Sequence, residues 1–366
     1  MKLGIVTIHN VSNYGAVLQS YALKEVIKEK HEVKILDFDN RHVSRSLDLI
    51  RFSFSFHGLL GFGKDLCRLI PRRKVLAKFN RFFSSRMDLT NYNKENISTF
   101  DGFISGSDQI WNPACVTSNN VFISEYFLTF ANTEQLKVSY ASSCGAYEFN
   151  SSELMQLQNY LKTYKSLAVR EAGTCEMMRE KLGLGVEHVL DPTLLLTKEQ
   201  WLSKLGDNNY RKGRYILLYV IKNTPLLKEV VKHFKTQLNI KVILVEQGLY
   251  FSSDIDEHIR DAGPEDFISL FNNAEYVITD SFHGTTFSLI FNKQFLTISP
   301  GKNINRIESL LSKLNLEERI VYSVDEIESK SFNFSFEYSS VDSHIEPFLG
   351  YKIMHRHRSA SFPISF

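Results

Sequence analysis

The 366-residue chain carries 43 lysines and arginines against 41 aspartates and glutamates, so no global field marks nucleic acid as its partner. A composition of 43% hydrophobic and 23% charged residues, with ordinary glycine and proline content, excludes a disordered or fibrous chain. The length predicts two domains at roughly 100–200 residues each, and Cys67, Cys115, Cys144 and Cys175, scattered without a CxxC or Cys/His spacing, argue against a disulfide framework and a zinc site.

The N-terminus, MKLGIVTIHN, runs straight into a strand pattern, and no later stretch stays uncharged long enough to cross a bilayer, which predicts a cytoplasmic protein. LGIVTI, YGAVLQSYALKEVIKEK and VKILDF read as the βαβ opening of a parallel sheet. Residues 41–99 read as a basic, Phe-rich insertion. Between Arg41 and Arg86 it holds Arg45, Arg51, Lys64, Arg68, Arg72, Arg73, Lys74, Lys78 and Arg81 against only Asp48 and Asp65, with Phe52, Phe54, Phe56, Phe62, Phe79, Phe82 and Phe83 interleaved. Two readings stand open for it: peripheral contact with the anionic inner face of a membrane, or a solvated helical pair covering the first domain.

Strands are predicted next at GFIS, KVSYAS and SLAV, with helices over Glu153–Thr163 and Thr174–Leu182. GDNNYRKGR reads as a linker, because it mixes glycine, asparagine and charge without periodicity. YILLYVI, KVILVEQ, EYVITD and FLTIS then form a second strand series. Helices are expected near Leu226–Thr236, Pro264–Asn273, Thr285–Phe291 and Ile304–Leu314. The expected architecture is α/β: two doubly wound Rossmann-like domains, residues 1–200 and 212–345, facing a central cleft, followed by a C-terminal helix or tail over 346–366. In that tail, His355 and His357 read as part of a packing helix in preference to a metal site.

Doubly wound sheets bind ligands beyond the carboxyl ends of their strands, so the loops there hold the candidate residues. In ITDSFHGTTFSL, His283 sits at a strand-to-helix turn where it can deliver a proton. Gly284 permits close backbone approach there, and Ser281, Thr285 and Thr286 add hydroxyls. A plain helix cap is the equal alternative. In IHNVSNYGAVLQSYAL, His9, Asn13 and Gly15 open the first helix without a GxGxxG, and an ordinary N-capped turn is the weightier reading. In FISGSDQIWNP, Ser107, Asp108 and Gln109 with Trp111 suit a sugar, or Trp111 is core. Arg170 in SLAVREAGT can grip an anion or pair with Glu171. Lys302 and Arg306 follow the strand FLTIS, where a surface charge is the default reading.

Taken in order, IHNVSNYGAVLQSYAL, FISGSDQIWNP, SYASSCGA, LAVREAGT, VLDPTLLL and ITDSFHGTTFSLIF resemble the polysaccharide pyruvyl transferase family from residue 3 to about residue 315. The resemblance implies a glycosyltransferase B-like fold. It implies an enzyme that moves the pyruvyl group of phosphoenolpyruvate onto two hydroxyls of a sugar or lipid-linked oligosaccharide, forming a cyclic ketal and releasing phosphate. It implies His283 as general acid and Arg170 as donor ligand, with Lys302 matched less securely. Asp108 and His9 are candidates for the general base. No cofactor and no essential metal are expected. A nucleotide-sugar glycosyltransferase, with Glu246 or Glu265 on a ribose, and a non-catalytic carbohydrate-binding protein are the competing functions.

Overall fold

The computed structural model describes residues 1–50, 68–206, 210–248, 252–301, 304–329 and 338. They divide into two units. The first holds Met1–Leu47 and Arg81–Leu196; the second holds the described parts of Asp48–Asn80 and Thr197–Glu346.

In the first unit, strands β1 (Lys2–Val6), β2 (Glu32–Asp37), β3 (Leu89–Asn91), β4 (Gly102–Ser105) and β5 (Leu136–Ser139) form a parallel sheet in the order β3-β2-β1-β4-β5. Strands β6 (Leu167–Val169) and β7 (Val186–His188) pair in parallel, and isolated bridges Val138–Ser166 and Ser142–Val169 join them to the β5 side. KLGIV and GFIS are short apolar runs without alternation because both faces of a parallel sheet are covered. Helix α1 (Tyr14–Lys28) begins where the Asn13 side chain accepts the Ala16 N–H, and it is buried along nearly its whole length.

Helix α2 (Leu69–Arg86) holds the described end of the basic stretch. Its Phe79, Phe82 and Phe83 point inward, Phe82 packing edge-on to Tyr21 with ring centroids 5.5 Å apart. Arg72 is buried too, its Nε donating to the Asp48 carbonyl at 2.9 Å. These side chains form core, which corrects the membrane reading for this part of the stretch. Phe52, Phe54, Phe56 and Phe62 lie outside the described residues, as do 346–366. Among the described residues no helix is long and apolar enough to cross a membrane. Helix α3 (Ser151–Leu161) starts on a reciprocal Asn150–Glu153 capping box, and α4 (Ala172–Leu182) stops at Gly183, whose φ of 63° only glycine adopts freely.

The second unit opens with α5 (Lys198–Leu205), whose Trp201 packs against Phe287. Its sheet contains β8 (Tyr215–Tyr219), β9 (Lys241–Val245), β10 (Glu257–Ile259), β11 (Tyr276–Thr279), β12 (Gln294–Ile298) and β13 (Ile320–Val321), all parallel, in the order β10-β9-β8-β11-β12-β13. Helix α6 (Pro225–Leu238) buries Leu227, Val230, Val231 and Phe234, a 3.6-residue stripe, in a core with Ile216, Leu218, Val242 and Leu244. Each such side chain contributes about 1.5–3 kcal/mol. Helices α7 (Pro264–Asn273), α8 (Phe282–Ile290) and α9 (Asn305–Ser312) complete the elements that position the site.

The two expected parallel sheets are present. Strands β3, β7, β10 and β13 are additions to the sequence reading, each too short for its periodicity to register. Strand order reverses once in each sheet, between β1 and β4 and between β8 and β11. Those reversals are where such sheets open a crevice for ligands.

Candidate functional site

In the second unit the reversal is built from the loops after β8, β11 and β12. Asp280, next to the end of β11, accepts the backbone N–H of Ile221 at 2.6 Å and of Lys222 at 2.9 Å, fastening the loop after β8 to the turn before α8. Lys222 Nζ donates to the Pro300 carbonyl at 3.2 Å, adding the loop after β12. Burial pushes the Asp280 carboxyl above its ordinary value, against the pull of these N–H groups and of the Lys222 charge.

Helix α8 starts at this point without a side-chain cap at Ser281, and the positive end of its dipole lies at this turn. Gly284 is what lets the helix come so close. A Cβ there would collide with Thr279 Oγ1, and that hydroxyl both donates to the Tyr219 carbonyl at 2.6 Å and accepts the Ser281 N–H at 3.1 Å. His283, in the first turn, is 9% exposed and sits edge-on to Phe282, over whose ring the Arg306 guanidinium lies 5.5 Å from the centroid. Thr285 and Thr286 are spent inside the fold: Thr285 Oγ1 donates to the Ser281 carbonyl at 3.1 Å and meets Thr297 Oγ1 at 2.9 Å, and Thr286 Oγ1 donates to the Phe282 carbonyl at 2.9 Å. This corrects their expected substrate contact. Lys302 lies outside the described residues.

In the first unit the loops after β4 and β5 hold left-handed backbone at Gly106 (φ 128°), Asp108 (φ 72°), Ala141 (φ 53°) and Gly145 (φ 60°). Non-glycine residues there store strain, which proteins concentrate at functional turns. Asp108 belongs to an ion cluster around Arg170. The guanidinium pairs with Asp191 at 2.8 Å, Glu171 at 3.3 Å and Asp108 at 3.5 Å. Glu171 also accepts the Ser143 hydroxyl at 2.5 Å, and Asp191 accepts the Thr193 N–H and hydroxyl. Burial alone would weaken the Arg170 charge, but Glu171, Asp191 and Asp108 outweigh it and lock the cation. With its side chain 2% exposed and three carboxylates around it, Arg170 offers no open face to an anionic donor, which corrects the donor-gripping role. The alternative pairing with Glu171 is what forms.

Trp111 is fully buried, stacked on Phe127 with its Nε1–H donated to the Tyr126 carbonyl at 3.2 Å; it is core and presents no face to a sugar. Ser107 is buried as well, its hydroxyl donated to the Ala141 carbonyl at 3.0 Å. Gln109 Oε1 accepts from Asn112 at 2.9 Å. Asn13 caps α1, and Gly15 is buried within that helix, as the plainer reading had it. His9 is fully buried, with Nδ1 3.2 Å from the Thr7 carbonyl and Nε2 3.0 Å from Asp37 Oδ1, so it cannot reach a hydroxyl as general base. Asp108 alone of the base candidates keeps partial exposure, 15% of its side chain.

Sequence reading passed over Asp280, Lys222, Asp191 and Asp37 as site residues. Each closes a strand or follows one, and that position was the available signal. Among the described residues no group of three or more His, Cys, Asp or Glu could hold a metal ion.

Two parallel sheets, each with polar residues near its reversal, define an α/β fold of the glycosyltransferase B-like class. A Listeria monocytogenes structure assigned as a UDP-N-acetylglucosamine 2-epimerase is similar at 12% identity with a TM-score of 0.52, over 100% of this chain and 99% of its own. The UDP-GlcNAc 2-epimerase of Methanocaldococcus jannaschii is similar at 11% identity with a TM-score of 0.50, over 100% of this chain and 96% of its own. Both likenesses speak to fold alone. The family model described as polysaccharide pyruvyl transferase matches residues 13–302, and the chain belongs to that family. No curated protein matches the chain.

Proposed function

We propose that the protein transfers the pyruvyl group of phosphoenolpyruvate to two hydroxyls of a sugar in a bacterial surface polysaccharide or its lipid-linked precursor. The observation that carries the reading is family membership over 13–302, which takes in the His283 turn at the reversal of the second sheet. His283 delivers a proton to C3 of the enol while one sugar hydroxyl adds to C2. The second hydroxyl then displaces phosphate from C2, leaving a ketal carbon bearing a methyl and a carboxylate. The two hydroxyl protons account for the new C–H bond and the proton taken up by the phosphate.

The donor's negative charge is met on the second unit by the first turn of α8, by Lys222 and by Lys302. On the first unit Asp108 takes the acceptor proton, and Arg170 acts as a positioning residue that keeps Asp108, Glu171 and Asp191 together.

Thermal unfolding with phosphoenolpyruvate tests the reading. A ligand held only by the folded state at about 100 times its Kd adds roughly 2.7 kcal/mol. Wild type should show the corresponding rise in midpoint. Lys222→Ala and Lys302→Ala should lose most of it, and His283→Asn should keep it while losing phosphate release. No rise with phosphoenolpyruvate, together with a clear one from a nucleoside diphosphate, would replace the proposal by a nucleotide-sugar glycosyltransferase.

A further inference from the structure

His9 is a buried titratable group that the reaction above does not use, and its surroundings assign it a purpose. The chain leaves β2 through Asp37, Phe38, Asp39 and Asn40, alternating outward and inward. Phe38 packs edge-on to Tyr92 and Tyr126 at 5.4 and 5.6 Å between centroids. Buried Asn40 donates its Nδ2–H to the Val116 carbonyl at 2.9 Å. These two inward anchors leave the Asp37 and Asp39 carboxylates exposed on a fixed backbone.

Each carboxylate is then oriented by a residue of the turn after β1. His9 Nε2 meets Asp37 Oδ1 at 3.0 Å, and Asn10 Nδ2 donates to Asp39 Oδ1 at 3.1 Å. The His9 ring is fully buried, and both its nitrogens face acceptors, the Thr7 carbonyl and Asp37. The Nε2–Oδ1 contact therefore needs a proton between them, and a charge-assisted bond is directional enough to fix the carboxylate plane. The same hydrogen bond draws the Asp37 carboxyl below its ordinary range, against burial, so Asp37 stays an acceptor and not a base. Asp37 keeps 47% of its side chain exposed, and its Oδ2 has no hydrogen bond among the described residues.

In doubly wound domains that bind dinucleotides, the acidic residue closing the second strand of the opening βαβ unit receives a hydroxyl of the ribose, and the same strand end carries a carboxylate here. Asp37 closes β2, directly beside β1 at the reversal of the first sheet. We infer that Asp37 is the carboxylate that recognises the acceptor's hydroxyls, with His9 as its positioning residue and Asp39, held by Asn10, as a neighbouring acceptor. The substrate class is a pyranoside with free ring hydroxyls. This assignment rests on the pyruvyl-transfer reading for the identity of the sugar as acceptor.

The test is saturation-transfer NMR with methyl β-D-glucopyranoside, methyl β-D-galactopyranoside and methyl α-D-mannopyranoside on the full chain. Wild type should transfer magnetisation to the ring protons of at least one of them. Asp37→Ala should weaken that binding by roughly tenfold or more, with an unchanged phosphoenolpyruvate shift measured from its own unliganded midpoint. His9→Gln, which keeps a donor toward Asp37, should bind better than His9→Phe at matched melting midpoints, an ordering that a purely structural role would not produce. Equal binding by Asp37→Ala and wild type would overturn the inference. So would the absence of transfer to all three glycosides in wild type, or stabilisation by magnesium chloride in their place. Loss of the phosphoenolpyruvate shift in wild type, with the glycoside results as expected, would remove the pyruvyl reading and leave the hydroxyl site standing.

Discussion

Gly284→Ala isolates the close approach that builds the second-unit site. Alanine in a helix gains about 1 kcal/mol of propensity over glycine. Here the added Cβ collides with Thr279 Oγ1 and comes within 2.9 Å of Thr279 Cβ, backed by a buried strand end that cannot yield. Overpacking of this kind costs about 1–3 kcal/mol. Displacing Thr279 also puts at risk its bonds to the Tyr219 carbonyl and the Ser281 N–H, each worth about 1 kcal/mol. The net expectation is a loss of about 2 kcal/mol confined to the second unit. The chain has two tryptophans, Trp111 in the first unit and Trp201 in the second, and Trp201 touches Phe287 of α8. Urea unfolding followed by Trp201 fluorescence in a Trp111→Phe background reads the second unit directly. With a slope of about 1–3 kcal/mol/M, the midpoint should fall by about 1 M. Thr279→Ala added to Gly284→Ala should restore part of the loss, because it removes the colliding atom. A Gly284→Ala midpoint equal to that of the parent would refute the reasoning.

Arg170→Met should cost about 3–5 kcal/mol by leaving three buried or part-buried carboxylates uncompensated, and Arg170→Met/Glu171→Gln/Asp191→Asn should recover much of it, both read by Trp111 fluorescence in urea. Trp111→Ala should cost about 3–5 kcal/mol as a core truncation, read by urea unfolding of the first unit from near-ultraviolet circular dichroism, whereas a sugar-contacting tryptophan would leave stability nearly unchanged. Burial opposes the ionisation of Asp88, but hydrogen bonds from Lys28 and Lys24 prevail and hold its pKa at about 2, below the ordinary 3.8. A depressed folded value stabilises above the unfolded one, so the deficit of Asp88→Asn relative to wild type should be full at pH 7 and shrink as pH falls from 3.8 through about 2, measured as urea midpoints across that range. Asp280 has the opposite sign. Its raised folded value makes the ionised form a burden, so wild type should lose stability relative to Asp280→Asn as pH rises from 3.8 through that raised value.

The sheets were legible in the sequence because runs such as YILLY and KVILV are fully apolar, which parallel strands covered on both faces require. The His283 turn was legible because a strand ending in TD, followed by a glycine inside a helix, is a local pattern. For Arg170, Trp111 and His9 the sequence left a functional and a plainer reading side by side, and one common reason kept it from choosing between them. Their chemistry depends on partners 21, 15 and 28 residues away (Asp191, Tyr126 and Asp37), which the chain brings together only through strand order. Short strands such as β10 and β13 carry too few residues for periodicity, and their pairing is set by β9 and β12.

The polar groups at the two reversals are of opposite kinds, and this bears on which substrate each unit takes. The first unit gathers Asp37, Asp39, Asp108, Glu171 and Asp191 around one buried guanidinium and one buried imidazole. Of these, Asp37 and Asp39 are exposed and Asp108 partly so; such carboxylates accept the hydroxyls of a polyol and repel an anion, whereas Glu171 and Asp191 are buried against Arg170. The second unit offers Lys222, Arg306 and the first turn of α8, and the Asp280 carboxylate there already accepts two backbone N–H groups. A phosphorylated carboxylic acid placed against the first unit would meet an excess of like charge that Arg170 cannot offset, since its donors are committed. Placed against the second it meets donors and a favourable dipole. Under the pyruvyl-transfer proposal, this difference in charge favours phosphoenolpyruvate on the second unit and the sugar on the first. The assignment moves the donor contact away from Arg170, so a variant that keeps the ion cluster intact and removes Lys222 should damage donor binding more than one that removes Asp108.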